Sequence, residues 1–205
     1  MVVTMFYTID SNHDDFAHLG FNEEQMQRLF GDGHPRYRFD YARDCVSFKD
    51  KINEKIIVDF VADRKELEGK PIPDIQILSF HNVGIFLNLK AYEVVKDIIK
   101  DDGEFIPVIY EEGDGYIFNP LRMAEDVDGL NEKLCIKNQW GDVENIAFHE
   151  DRVKVYSVLK AKFDLCNNVF CREDVKETIE AAKLQGVTFT PELGAKFAMA
   201  KNHES

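Results

Sequence analysis

An α+β fold, a mostly antiparallel sheet with two main helices packed on it, is what the sequence predicts, and three observations predict it. In EFIPVIYEEGDGYIFNP two apolar runs, 105–110 and 116–119, flank the polar connector Glu111-Glu112-Gly113-Asp114-Gly115. Aromatic and β-branched residues around a short glycine-containing connector specify a β-hairpin. Apolar residues recur at helical spacing in two other stretches, 89–101 and 173–185. Further short runs rich in Val, Ile and Phe are bounded by turn residues, which is the grammar of strands.

In chain order, residues 2–9 form a strand that Ser11-Asn12-His13-Asp14-Asp15 closes. Asn22 is placed to cap a short helix, with Glu23 and Glu24 in its first turn, Leu29 and Phe30 near its end and Gly31 beyond it. The loop GDGHPRYRFDYARD follows, and Arg36, Tyr37, Arg38, Tyr41 and Arg43 make it locally basic. Interleaved aromatic and basic residues suit an RNA-stacking loop. They suit equally a surface segment that pairs with the acidic remainder, and this is the reading we adopt.

Residues 46–48 and 56–61 are predicted strands, the second apolar enough to be central. Residues 63–69 are charged and, with Pro71 and Pro73, form either a linker or a loop. The chain is therefore predicted as a single α+β domain over 1–205, with residues 1–62 as a looser N-terminal lobe if the stretch is a linker. Residues 74–80 alternate as a strand does. Asn88 is a favourable N-cap for the first main helix, in which Ala91, Tyr92, Val95, Ile98 and Ile99 share one face. Lys100-Asp101-Asp102-Gly103 stops it.

After the hairpin, the polar stretch 126–134 is a candidate helix. Residues 143–149 and 153–159 are predicted to form a second hairpin around Glu150-Asp151-Arg152. The second main helix covers 172–185: Glu173 and Asp174 favour its N-terminus, Val175, Ile179 and Ala182 line one face, and Gly186 ends it. A strand at 187–190 and a weakly ordered tail from Pro191 complete the chain. Tyr92, Val95, Ile99, Val175 and Ile179 are the predicted buried face of the two helices.

With 205 residues, 44% of them hydrophobic, the chain is long enough to bury a core. The apolar start MVVTMFYTID has no basic n-region, so it is a strand and not a signal peptide. No apolar run approaches the ~20 residues that span a bilayer. A cytoplasmic protein without membrane association is the expectation. Cys45, Cys135, Cys166 and Cys171 include no C-x-x-C pair and no zinc set, and are expected to be reduced core thiols.

The net charge of -13 and pI near 4.9 argue against a nucleic-acid partner, whose backbone requires Lys and Arg. The charge is concentrated: residues 93–132 hold twelve acidic side chains against Lys96, Lys100 and Arg122. From charge alone, a solvated face that aids solubility is the simpler reading. The functional reading is a surface complementary to a basic protein, where such a field speeds association. Asp101, Asp102, Glu111, Glu112, Asp114, Asp126 and Asp128 are then the candidate partner-binding residues.

Phosphate-binding, dinucleotide, zinc-protease and nucleophile-elbow motifs are all missing from the sequence. His149-Glu150-Asp151 is the nearest approach to a reactive cluster, but adjacent residues on a turn diverge. Asp10, His13, Asp14 and Asp15 resemble a metal loop without the Gly and Glu of an EF-hand. His13, His18, His34 and His81 show no complementary spacing. No catalysis, metal or cofactor is expected. Trp140, the single tryptophan, reads first as a core or boundary anchor; at the centre of a binding surface it would be a plausible hot spot.

Two stretches together resemble the myxobacterial-type immunity domain, a family of bacterial immunity proteins from polymorphic toxin systems. PDIQILSFHNVGIFLNLKAYEVVKDIIKDDGEFIPVIYEEGDGYIFNP is similar to that family's strand, helix ending in Gly-Glu, hydrophobic-Pro-hydrophobic strand and second strand ending in Asn. NVFCREDVKETIEAAKLQGVTFTP is similar to its closing pattern: an apolar-Phe pair, an acidic helix start, then Gly-Val-x-Phe. The resemblance spans about 73–191, and order and spacing carry it. It implies a cytoplasmic protein that binds a cognate toxin and blocks it, with no catalytic residues to transfer. The alternatives are a small enzyme using His149, Glu150 and Asp151, or an acidic mimic of nucleic acid.

Overall fold

The computed structural model describes residues 5–30, 45–47, 52–61, 69–78 and 84–194. The fold is α+β, with mostly antiparallel sheets and two main helices. The first half comprises β1 (Phe6–Ser11), β2 (Leu19–Phe21), α1 (Glu23–Phe30), β3 (Ile56–Phe60), β4 (Ile75–Ile77), β5 (Ile85–Asn88) and α2 (Leu89–Ile99). The second comprises β6 (Gly103–Tyr110), β7 (Gly113–Pro120), β8 (Ile136–Lys137), β9 (Val143–Asn145), α3 (Glu150–Val153), β10 (Val158–Leu159), β11 (Val169–Arg172), α4 (Glu173–Ala181) and β12 (Val187–Thr190). None of the helices described is long and apolar enough to cross a membrane.

One sheet has the order β10-β11-β1-β12 and is antiparallel throughout. The other, β2-β3-β6-β7-β5-β4, is antiparallel except where β3 runs parallel to β6. β8 and β9 form a separate two-stranded ribbon. The early strands are built into sheets with late ones: β1 lies between β11 and β12, and β3 beside β6.

The pleat divides the six-stranded sheet between two cores. Phe118 stands opposite Ile85 and joins the core under α2 and α4, whereas Ile117 stands opposite Phe86 and joins the core that holds Met26 of α1. Both faces are buried at β4, β5 and the second half of β7, so apolar residues run consecutively there, whereas β6 and β3 alternate and expose Ile109 and Ile57. Tyr7, Ile9, Val169 and Cys171 bring the four-stranded sheet into the first core. Its other face supplies Phe6 and Phe170 to a third core, where Phe148 meets both rings edge-on at 5.9 and 5.1 Å between centroids.

Four of the five predicted helix-face residues, Val95, Ile99, Val175 and Ile179, are buried. Tyr92 is partly buried, stacked on Tyr116 with centroids 3.9 Å apart. The predicted caps operate: Asn88 Oδ1 accepts the Ala91 N–H at 2.9 Å, and Asn22 Oδ1 that of Gln25 at 2.8 Å.

Several expectations are corrected. The first hairpin turns on Glu111-Glu112 alone, and β7 begins at Gly113. Gly115 belongs to the strand, where a Cβ would stand 2.8 Å from the Leu87 carbonyl oxygen; its role is the close approach of β5. The second hairpin does not exist: β9 pairs with β8, and Val153 closes the helical turn α3. Residues 126–134 hold only the end of a 3-10 turn, Ala124–Val127. α4 stops at Ala181, because Lys183 adopts φ 54° and the chain leaves the helix to bury Leu184. Val46 and Ser47 are not in a strand. β2, β5, β8 and β11 are additions. The basic loop's Arg36, Tyr37, Arg38, Tyr41 and Arg43, most of 63–69, and the tail from residue 195 lie outside the described residues.

Candidate protein-binding surface

The acidic segment is contiguous in sequence but not in space. β6 and β7 pair from Gly103↔Pro120 at one end to Tyr110↔Gly113 at the other. Eight strand residues at about 3.3 Å each put those ends roughly 23 Å apart. Glu111, Glu112 and Asp114 therefore sit at one end, and Asp101, Asp126 and Asp128 at the other. At the first end Lys55 Nζ donates to Asp114 Oδ1 at 2.7 Å, which offsets part of the charge.

Asp102 leaves the set altogether. It is 5% exposed, and its Oδ2 accepts the backbone N–H groups of Ser157 at 2.6 Å and Val158 at 3.1 Å. Burial raises its carboxyl above the usual range against the pull of those two donors. It is a structural residue.

The Asp126 end adjoins an exposed apolar feature. Residues 130–148 form a finger whose base is the Leu130↔Phe148 bridge and whose stem is the β8–β9 ribbon. Lys137 places its Nζ 4.5 Å from the centre of the Phe163 ring, and the ladder shifts register between Ile136 and Lys137. Ile136 is 50% exposed, Leu134 56% and Trp140, at the tip, 76%. Trp140 is thus neither a core nor a boundary anchor.

The tip is held rigidly. Asn138 Oδ1 accepts the N–H groups of Trp140 and Asp142 at 2.9 Å each, and Asn138 Nδ2 donates to Asp142 Oδ2 at 3.0 Å. Gly141, at φ 88°, supplies the left-handed residue that closes the turn. Glu132, Asp142 and Glu144 are exposed on the finger, and Asp126 and Asp128 at its base. Asp126 Oδ2 accepts the Met123 N–H at 3.0 Å, and Arg152 donates to the Asp128 carbonyl at 2.8 Å, so the base is fixed as well. The arrangement is a preorganised apolar cluster with Glu132, Asp142 and Glu144 around it, the cations Lys133 and Lys137 among them, and Asp126 and Asp128 at the base. The KNQWGD turn was its signal in the sequence.

His149, Glu150 and Asp151 do not converge. His149 is the N-cap position of α3 and donates its backbone N–H to the Gly129 carbonyl at 2.7 Å, while Glu150 and Asp151 occupy the first turn. Burial raises the Glu150 carboxyl. Near the N-terminus, Asn12 and Asp15 bind each other in a local turn. Among the described residues no three His, Cys, Asp or Glu side chains form a metal-holding group.

One pairing was not foreseen from spacing. His13 and His18 bring their rings to 4.1 Å between centroids. Gln76 links them to the sheet, contacting His13 Nδ1 at 3.3 Å and accepting the Leu19 N–H at 2.9 Å. Burial, with a smaller contribution from His13, lowers the His18 pKa to about 4.

No protein-family model and no curated protein matches the chain.

Proposed function

We propose that this protein is a cytoplasmic immunity protein that binds a cognate basic toxin and neutralises it by occlusion. The observation that carries the reading is the hydrogen-bonded finger with Trp140 exposed at its tip, Ile136 and Leu134 exposed along it, and Asp126 and Asp128 exposed at its base. An exposed tryptophan on an ordered turn is the residue type that dominates protein interfaces, and ordering it beforehand lowers the entropic cost of binding. The acids on the finger and at its base attract a basic partner and raise the association rate. The resemblance of 73–191 to immunity proteins supports a toxin as that partner.

Co-expression with the product of the adjacent gene, followed by affinity measurement, tests the proposal. The wild type should co-purify with intact, inactive toxin. Trp140→Ala should weaken the complex by about 2 kcal/mol, a hot-spot magnitude. Asp126→Lys with Asp128→Lys should slow association at low salt. Glu111→Lys with Glu112→Lys, at the remote end of the hairpin, should leave it nearly unchanged. Binding lost only in the Glu111/Glu112 variant would move the interface to the hairpin turn. No binding by the wild type would reject the proposal.

A further inference from the structure

A cleft of about 400 Å³ lies between the finger and the chain that follows β10. Lys137, Asp142 and Val143 line it from the finger, and Phe163, Asp164 and Asn168 from the other side. Its volume falls within the roughly 300–1,000 Å³ of small-molecule sites. A second cleft, of about 300 Å³ where residues 52–55 meet 105–107, is lined by no buried polar atom that lacks a partner among the described residues.

The far wall of the first cleft is built by its own hydrogen bonds. The Phe163 N–H donates to Glu125 Oε1 at 3.1 Å, and the Leu165 N–H to the Lys162 carbonyl at 2.9 Å. Leu165 and Cys166 both adopt left-handed backbone, φ 58° and 56°, which non-glycine residues seldom do. Across that turn the Asp164 and Asn168 side chains meet: Asp164 Oδ2 accepts the Asn168 N–H at 3.0 Å and its Nδ2 at 2.7 Å.

These bonds leave two acceptors over. Asp164 is 4% exposed and Asn168 6%, and the Oδ1 of each has no hydrogen-bond partner among the described residues. Buried oxygens without donors are rare and unfavourable. The Cys166 and Asn167 N–H groups also favour the charged carboxyl, but each is committed to a backbone carbonyl, of Ala161 and Asp164 respectively. Buried Lys160 lies close enough for the Asp164 charge to act on it, yet it makes no bond to Oδ1. Of the charged side chains that line the cleft, Asp142 and Asp164 are acids and Lys137 alone is a cation.

We propose that this cleft binds a guanidinium group, whose N–H donors the Oδ1 atoms of Asp164 and Asn168 accept and whose plane rests on the Phe163 ring. Guanidinium is planar, carries several donors in one fork and stacks on aromatic faces, so a single group can serve both oxygens and the ring. An ammonium is a compact, strongly hydrated point charge and fits less well. Lys137, with its Nζ 4.5 Å from the ring centre, competes for the same aromatic face. The group can come from an arginine side chain or from a free guanidino compound. The site does not depend on the toxin reading, because a small molecule suffices to probe it.

Titration of the isotope-labelled full chain with methylguanidinium, followed by NMR, tests the proposal. The amide signals of residues 164–168 should shift saturably, and methylammonium should bind about tenfold more weakly. Asp164→Asn, which keeps the shape and removes the charge, should weaken methylguanidinium about tenfold, the worth of a charge-assisted hydrogen bond. Lys137→Met, at an exposed position, should strengthen it roughly threefold by removing a like charge, and this variant decides if Asp164→Asn does not fold. Between two further ligands, tighter binding of acetyl-Gly-Arg-Gly-amide assigns the site to an arginine side chain, and tighter binding of agmatine to a free compound. No saturable shift, equal binding of methylammonium, an unchanged affinity in folded Asp164→Asn or a loss in Lys137→Met would overturn the proposal.

Discussion

The Asp102 carboxylate accepts the backbone N–H of Ser157 at 2.6 Å, and this contact joins the end of the first main helix to the start of β10. The neighbouring Val158 N–H, at 3.1 Å, shares the same oxygen. Both donors are buried, so removing the acceptor strands them away from water. Asp102→Ala should cost about 1–3 kcal/mol, read as a lower urea midpoint. Asp101→Ala, one residue earlier and exposed, should change the midpoint little. Equal effects of the two would mean that the contact contributes nothing specific.

Asp164 offers a pH signature. It is 4% exposed, and its Oδ1 has no hydrogen-bond partner among the described residues, while Oδ2 accepts from the Asn168 backbone and side chain at 3.0 and 2.7 Å. Burial outweighs those bonds and raises the carboxyl from 3.8 to about 6. A raised folded-state pKa means that folding favours the protonated form. The stabilisation is complete below the unfolded value and lost as pH rises through the folded one. Relative to Asp164→Asn, the wild type should therefore lose about 3 kcal/mol between acid and neutral pH. A stability difference between the two that does not vary with pH would exclude this titration.

His18 shifts in the opposite direction. Burial and the neighbouring His13 disfavour its cation, so the neutral ring is the folded form and its contribution is present above 6.5 and lost as pH falls through about 4. The His18 ring protons followed by NMR should titrate with a midpoint near 4. His13→Gln should move that midpoint upward, since it removes the smaller of the two causes. A wild-type midpoint at the ordinary histidine value would show that the ring is solvated.

The legible parts of the fold are those whose signal is local. Ala91, Val95 and Ile99 recur at helical spacing because one face of that helix meets the core, and Asn88 caps it through a bond three residues long. β5 was missed because Ile85, Phe86 and Leu87 are buried on both faces and leave no alternation. The false second hairpin came from an alternation without burial: Val153 is in the core, but Val155 is 64% exposed after a helical turn. The acidic segment was legible as charge but not as a surface, because a paired strand separates its two halves and Asp102 turns inward. The His13–His18 pair depends on tertiary approach, which spacing does not encode.

The cluster His149-Glu150-Asp151 gives the last test. Its geometry serves the chain: His149 anchors its backbone on Gly129, and Glu150 and Asp151 stand at the positive end of a single helical turn. Their side chains sit in sequence order around that turn, with no nucleophile or third group brought to them among the contacts described. Inhibition by occlusion needs shape and charge, not a tuned acid. Replacing all three by Ala should cost about 1 kcal/mol of stability, typical of point changes. Under the proposed function, protection of cells against the toxin should be nearly intact. A triple variant that stays folded and binds toxin at wild-type strength, yet fails to protect, would mean that the protein neutralises by chemistry.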